Sequence, residues 1–463
     1  MTDLLVSVNS FLWGIPTLIM ILGVGIYLSI KTRFIQIRRL PFAIKRFFEQ
    51  FKIRNRNGVS GFQALSLALA ATVGTGNLAG VAGAIAIGGP GAIFWMWLCA
   101  LFGMVTKYAE AVLAVSYRTR IEKDMYVSGP MYMIRDGLPR QFRFLAYAYC
   151  FFGVVASFGV GNATQVNAVV CSLESALSAF DLEFSFAFKM FASGMISLSV
   201  IFLLSGGTKR LGKVTQIIVP LAAFGYLLLG AFVLIIRRNA IPTAFAAIIK
   251  GAFMPQAVTG GVVGSFFVAL RTGASRGVFT NEAGMGTASI AHGTANVDHP
   301  AEQGLMGIME VFIDTILICT LTGLVILCSG IPISYGIDTG VSLTTQAFTS
   351  VCGNWITVPI ALIICVLAFA TILGWSLYGI RCSEFLFGNK VQRIFILVQG
   401  FISILGVCLN TGTVWILSEI VNALMAMPNL IALIYLTPEV VKLTESYFKY
   451  KKDCLRRGNP ISE

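Results

Sequence analysis

Ala71-Thr72-Val73-Gly74-Thr75-Gly76-Asn77-Leu78-Ala79-Gly80 lies inside a long apolar stretch. Its glycines, two threonines and asparagine weaken a helix at a depth where lipid offers no water to replace lost backbone bonds. Irregular backbone at membrane depth is tolerated only where it is buried in protein or lines a cavity. A second interrupted stretch, Thr259-Gly260-Gly261-Val262-Val263-Gly264-Ser265, follows in the later half of the chain. Paired broken helices in the two halves of a membrane chain point to the binding site of a secondary transporter.

The composition around these breaks is that of a polytopic membrane protein. Of 463 residues, 56% are hydrophobic and only 12% charged, against roughly a quarter charged in a soluble domain. Apolar runs of about 20 residues recur along the chain. The ten cysteines sit mostly in such runs with no Cys-x-x-Cys pair, so they read as core residues, neither a disulfide frame nor a metal site.

The net charge of +13 is no sign of a nucleic-acid partner, because its carriers flank the apolar runs. Lys31, Arg33, Arg38, Arg39, Lys45, Arg46, Lys52, Arg54 and Arg56 form one cluster, and Lys442, Lys449, Lys451, Lys452, Arg456 and Arg457 another. Such clusters are orientation signals. With Phe47, Phe48 and Phe51, part of the first fits an amphipathic helix on the inner leaflet.

Spans are expected at 8–30, 61–87, 91–116, 142–171, 185–204, 213–236, 257–271, 304–328, 356–380, 393–409 and 412–436, about eleven in all. With the first basic cluster inside, the basic segments 118–143, 209–213, 271–299 and 381–393 and the C-terminal tail also fall inside, while Arg237 and Arg238 dissent. The N-terminus is then outside and the C-terminus cytoplasmic, in the plasma (inner) membrane. The first span has no basic n-region or small-residue cleavage site and reads as a retained anchor.

The expected fold class is all-α: an N-terminal helix and basic segment (1–58), two inverted five-helix repeats (59–240 and 241–440) and a basic tail (441–463). Each repeat opens with a broken helix, and an odd number of spans makes the second enter from the opposite side.

In a broken helix the free N–H groups attract an anion such as a carboxylate, and free carbonyls suit a small hard cation. Thr72 and Asn77 add side-chain oxygens, which suit sodium. Close packing of small residues is the competing reading of Gly76 to Gly80. Thr371 and Trp375 lie one turn apart and would give a hydroxyl and an indole wall to a small amino acid. A threonine bonded to its own helix and a core tryptophan is the alternative. Asn162, Gln165 and Asn167 are costly in lipid and face a cavity or another helix; Gln165 is placed to reach a ligand.

Glu310 and Asp314 share a face, as a proton site or as an ion pair. Lys107 and Glu110 read as a structural pair, and Glu419 has no reading. The segment Gly273 to His292 lacks the Gly-Lys-Ser/Thr of a P-loop and reads as an inner gate or hinge.

The runs Thr72 to Val81, Gly88-Gly-Pro-Gly-Ala-Ile-Phe-Trp-Met-Trp97 and Arg276-Gly-Val-Phe-Thr-Asn-Glu-Ala-Gly-Met-Gly286 resemble the alanine or glycine:cation symporter family over roughly 10–440. The resemblance implies a leucine-transporter-like fold and sodium-coupled uptake of small neutral amino acids. By position it implies that Thr75 and Gly76 offer amides to the substrate carboxylate, with Thr72 at the same break. Gln165, Thr371, Trp375 and the Thr259, Gly260 and Gly261 break would line the pocket. Sodium would meet the carbonyls of Ala70, Val73 and Ala368 and the Thr371 hydroxyl, with Asn77 at the ion end. Thr280 and Thr287 stand where the family commonly has serine, and Gly293 where it has alanine.

The expectation is therefore a symporter of alanine or glycine working by alternating access, with the lipid bilayer, the amino acid and sodium as partners and no cofactor. Proton coupling, or an uncoupled channel or sensor on the same fold, is the alternative. An intramembrane enzyme would need a nucleophile and base at membrane depth, and neither His292 nor His299 lies within an expected span.

Overall fold

A computed structural model of the chain describes residues 2–52, 58–122, 125–182, 185–263, 265–337, 340–408 and 411–456. Arg54, Arg56, Glu183, Gly264 and Arg457 lie outside the described residues.

Two helices, α1 (Thr2–Leu12) and α2 (Ile15–Lys31), precede α3 (Leu40–Lys52), whose Phe48 is exposed while Phe47 packs inward. Phe47, expected in the lipid interface with Phe48, therefore turns to the protein instead and packs on Phe62. The first broken helix follows as α4 (Gly61–Thr72), a π-helical turn over Gly76–Gly80, and α5 (Val81–Gly88), bent by 53°. A reciprocal cap opens α4: Gln63 N–H donates to Ser60 Oγ at 3.1 Å, and Ser60 N–H donates to Gln63 Oε1 at 3.0 Å. Next come α6 (Ala92–Ser116), a short antiparallel hairpin of β1 (Thr119–Glu122) and β2 (Met125–Val127), and α7 (Pro130–Gly137). The helices α8 (Phe144–Phe158) and α9 (Thr164–Ser178) are joined by a π-helical turn over Gly159–Ala163, and α10 (Phe186–Leu204) and α11 (Gly207–Ile236) complete the first half.

The second half contains α12 (Ile241–Phe253), α13 (Phe266–Asn281), α14 (Thr287–His292), α15 (Pro300–Val311) and α16 (Thr320–Ser329), the last two joined by a π-helical stretch over Phe312–Cys319. It continues with α17 (Val341–Cys352), α18 (Thr357–Phe387), α19 (Gln392–Leu405) and α20 (Thr411–Arg456). Among the described residues the named elements are helices apart from the β1–β2 hairpin, which the sequence pattern did not suggest.

Eight helical segments among the described residues are long and apolar enough to cross a membrane, and the bent α4–α5 pair makes a ninth. The chain is thus a multi-pass membrane protein. Burial sorts these segments: α6 is mostly buried and stands at the centre, whereas α10 is mostly exposed and faces outward through Phe186, Phe191, Leu198 and Phe202. Lipid is as good a solvent for such side chains as protein, so peripheral helices keep them exposed.

Four expectations change. The stretch 257–271 is not one short span: α12 ends at Phe253, a single helical turn over Gln256–Thr259 leads to a turn at Gly260 and Gly261, and α13 starts at Phe266. Residues Gly273 to Asn281, expected in a loop, continue α13 as helix packed on α6; a Cβ at Gly273 would meet Trp95 Cβ at 2.7 Å. At 14 residues, α19 falls short of the span expected at 393–409. The tail is no separate segment through Arg456, because α20 runs on as a single helix of 46 residues.

Candidate functional site

The first break begins where α4 runs out of donors. Its final backbone bond runs from Val73 N–H to Leu69 O at 2.8 Å. Gly74 N–H does not continue the ladder but donates to Asn77 Oδ1 at 2.9 Å. The carbonyls of Ala70, Ala71 and Thr72, and the N–H groups of Thr75 and Gly76, therefore have no hydrogen-bond partner among the described residues. All of these residues are buried. Buried backbone groups without partners are rare in folded proteins and need a reason.

Gln165 and Thr371 are the side chains brought to this break. The Thr75 hydroxyl donates to Gln165 Oε1 at 3.0 Å, and Gln165 Nε2 donates to Val160 O at 3.1 Å. Thr371 Oγ1 donates to Leu367 O at 3.1 Å, so the self-bonded reading of this threonine holds for its proton. Its oxygen lies so close to Gly74 that a Cβ there would clash with it. One turn on, Gly374 lets α18 approach α4 so closely that a Cβ there would meet Ala71 Cβ at 2.9 Å. Glycine is used here for close approach of two backbones. Ala368 is fully buried one turn before Thr371 on the same face.

Trp375 is 1% exposed and packs edge-on against Tyr378, with ring centroids 5.8 Å apart. A Cβ on Gly161 would meet Trp375 Cγ at 2.8 Å. The tryptophan therefore walls the π-helical turn before α9, one helical turn from Thr371. Thr72 is 4% exposed, and its hydroxyl turns back to Ala68 O at 3.3 Å.

Asn77 and Asp314 form a polar layer behind the break. Asn77 Nδ2 donates to Asp314 Oδ1 at 2.7 Å, and Asp314 Oδ2 accepts from Thr315 Oγ1 at 2.8 Å. Asn281 Nδ2 donates to Thr315 Oγ1 at 3.2 Å. Asn77 thus spends its side-chain oxygen on Gly74 N–H and its nitrogen on Asp314, linking both ends of the break to α13 and the π-helical stretch after α15.

Thr259, Gly260 and Gly261 are not part of this cluster. Gly260 and Gly261 are exposed, and Thr259 Cγ2 lies 2.9 Å from the position of a Cβ on Gly89, in the turn after α5. Their positive φ angles, 63° and 88°, make a surface turn beyond the end of the first broken helix. The break facing the first one is Glu282 to Gly286, between α13 and α14. Glu282, Gly284 and Gly286 have φ of 54°, 90° and 78°, and a Cβ on Gly76 would meet Thr280 Cγ2 at 3.1 Å.

Glu110 holds this second break. Its Oε1 accepts from Gly284 N–H at 3.0 Å, Gly286 N–H at 3.1 Å and Asn429 Nδ2 at 2.8 Å. Turns of successive N–H groups with left-handed residues bind anions, and here the chain supplies its own carboxylate. The sequence marked Gly273 to His292 as an inner gate or hinge but did not bring Thr280, Asn281 and Glu282 to the first break, because Arg276 and Glu282 gave the segment the polarity of a loop. The glycine alternation at 284 and 286 was the available signal.

The expected Lys107–Glu110 pair is replaced by a buried bridge from Lys107 Nζ to Glu310 Oε1 at 3.0 Å. Glu310 is therefore in an ion pair, while Asp314 is not. Glu419 pairs with Arg276 at 3.3 Å and accepts from Asn9 Nδ2 at 2.6 Å. Asn162 holds α19 through Gln399 O at 2.8 Å, the interhelical role open to it from the sequence. No group of three metal-binding His, Cys, Asp or Glu side chains occurs among the described residues.

The chain matches the sodium:alanine symporter family over residues 1–459. It is 41% identical over 453 residues to the sodium/alanine symporter AgcS of Methanococcus maripaludis, covering 96% of this chain and 97% of that protein. It is 34% identical over 449 residues to the probable sodium/glutamine symporter GlnT of Bacillus subtilis, covering 96% of this chain and 90% of that one. Among solved structures, MhsT in complex with L-phenylalanine superposes with a TM-score of 0.57 at 12% identity, covering 84% of this chain and 99% of that chain. This is the leucine-transporter-like fold that the sequence motifs imply.

Proposed function

Since the chain belongs to the sodium:alanine symporter family, we propose that it couples sodium entry to uptake of a small neutral amino acid, alanine or glycine, by alternating access. The observation that carries this reading is the first break, where buried N–H groups at Thr75 and Gly76 and buried carbonyls at Ala70 to Thr72 stand without partners among the described residues. Unpaired donors suit the substrate carboxylate, and unpaired carbonyls suit a sodium ion.

In this reading Thr75 and Gly76 hold the carboxylate. Gln165, Thr72 and Thr371 line the pocket, and Trp375 closes it on the side of Gly161. The Ala70, Val73 and Ala368 carbonyls and Thr371 Oγ1 take sodium, and Asn77 fixes the shape of the break from behind. Two repeats of five crossings, from α4 to α11 and from α13 to α20, would each begin with one of the facing breaks. The distribution of the basic segments supports an N-terminus outside and a C-terminus in the cytoplasm.

Isothermal titration of the purified protein with L-alanine tests the reading. Affinity should rise when sodium replaces potassium, because the two sites share one break. Equal affinity in both salts would remove the proposed coupling.

A further inference from the structure

The inner ends of the two broken helices are tied by a chain of buried side chains that substrate and ion binding leave unused. Lys107 Nζ donates to Glu310 Oε1 at 3.0 Å, and Glu310 Oε2 accepts from His292 Nε2 at 2.8 Å. His292 is the last residue of α14. Its Nδ1 accepts from Gln303 Nε2 at 2.7 Å, and the same nitrogen lies 3.3 Å from the carbonyl of Gly61, the first residue of α4. Lys107, His292, Gln303 and Glu310 are all 0% exposed. Gln303 Oε1 is buried and has no partner among the described residues. Beside this chain, Asn296 N–H donates to Val59 O at 2.7 Å.

These partners define one tautomer. The Glu310 carboxylate accepts, so His292 Nε2 carries the hydrogen. The Gln303 amide nitrogen donates, so Nδ1 is bare. The two amide hydrogens of Gln303 are then both used, one on Nδ1 and one on Gly61 O. The reverse amide orientation would set its oxygen against the Gly61 carbonyl. A proton added to His292 goes to Nδ1 and brings two donors face to face. A half-turn of the Gln303 amide relieves the conflict, because the orphaned Oε1 then accepts from Nδ1–H. The same half-turn takes Nε2 away from Gly61 O.

We propose that Gln303 and His292 form a proton-operated latch between the inner ends of the two broken helices, closed by neutral His292 and opened when His292 is protonated. The other charged or titratable groups on the elements packed against α14 are these. Glu110 of α6 binds the Gly284 and Gly286 amides through Oε1, while its Oε2 has no partner among the described residues; Glu282 at the end of α13 accepts from Thr287 at 2.5 Å; and Tyr378 of α18 packs its ring on Trp375, its hydroxyl having no partner among the described residues. On α7, Arg135 pairs with Asp136 and Tyr132 packs on Phe385. Facing it from α4 are no ionisable side chains at all. Gln303 and His292 are positioning residues here, and the latch stands whichever amino acid is carried.

Hydrogen exchange of the full chain in detergent at about pH 8 and about pH 6, corrected for intrinsic rates, tests this. Peptides over residues 59–66 should exchange on the order of five-fold faster at the lower pH, the scale of one lost hydrogen bond. Gln303→Met should exchange fast at both pH values. His292→Gln keeps a donor for Glu310 without a titrating ring, and should lose the pH response. If Gln303→Met does not fold, Gln303→Glu serves, since a carboxylate cannot donate to Gly61 O. A wild-type protein with equal protection at both pH values, or a pH response surviving in His292→Gln, overturns the latch. Sodium-dependent alanine binding on the same preparations separates that failure from a failure of the transport reading.

Discussion

The Thr75 hydroxyl donates to Gln165 Oε1 at 3.0 Å, joining the first break to α9 across 90 positions of sequence. This bond fixes the side chain of Thr75 while its backbone N–H stays unpaired. Gln165→Leu keeps the bulk, removes the acceptor and frees the threonine to rotate. The expected result is an alanine Kd raised about ten-fold at saturating sodium, the scale of one polar contact. Titration calorimetry reads it, and an unchanged Kd would reduce the pair to packing.

Thr371 donates its proton to Leu367 O, which leaves the oxygen lone pairs for a cation. Thr371→Ala should raise the sodium concentration for half-maximal alanine binding about ten-fold, while alanine affinity at saturating sodium changes less. Thr371→Ser should behave as the parent. Sodium titrations of the three proteins decide this, and identical curves would place sodium elsewhere.

Gly74 and Gly76 should respond differently to substitution. A Cβ at Gly74 would clash with Thr371 Oγ1, whereas the atom nearest to one at Gly76 is the Thr280 methyl carbon, at 3.1 Å. Gly74→Ala should therefore impair sodium activation as Thr371→Ala does. Gly76→Val should abolish alanine binding while the protein remains monodisperse in detergent. A monodisperse Gly76→Val protein with parental affinity would contradict the carboxylate role of this segment.

Lys107 and Glu310 are both fully buried, so the loss of one leaves the other uncompensated. Lys107→Met should cost about 3–5 kcal/mol of stability. Lys107→Met combined with Glu310→Gln should recover much of it. Thermal unfolding in detergent provides the readout, and equal melting of single and double variants would contradict the pairing.

The first break was legible because Gly74, Thr75, Gly76 and Asn77 depart from everything a lipid-facing helix favours, and the departure is local. Thr371 and Gln165 were legible as polar residues in apolar runs. The second break was not, because two signals competed. Gly260 and Gly261 imitate a broken helix but form a surface turn. Arg276 and Glu282 give α13 and its end the polarity of a loop, although Glu419 and Thr287 take up those charges. A partner as distant in sequence as Glu419 is from Arg276 is invisible to a reading by local pattern. The same holds for Lys107, whose partner is Glu310 rather than the neighbouring Glu110.

Uptake of radiolabelled L-alanine into proteoliposomes holding the purified protein tests the central claim most directly. With an inward sodium gradient, alanine should accumulate above its outside concentration, and collapse of the gradient should abolish accumulation. Equal uptake with and without the gradient, or no uptake in sodium at all, would contradict the account.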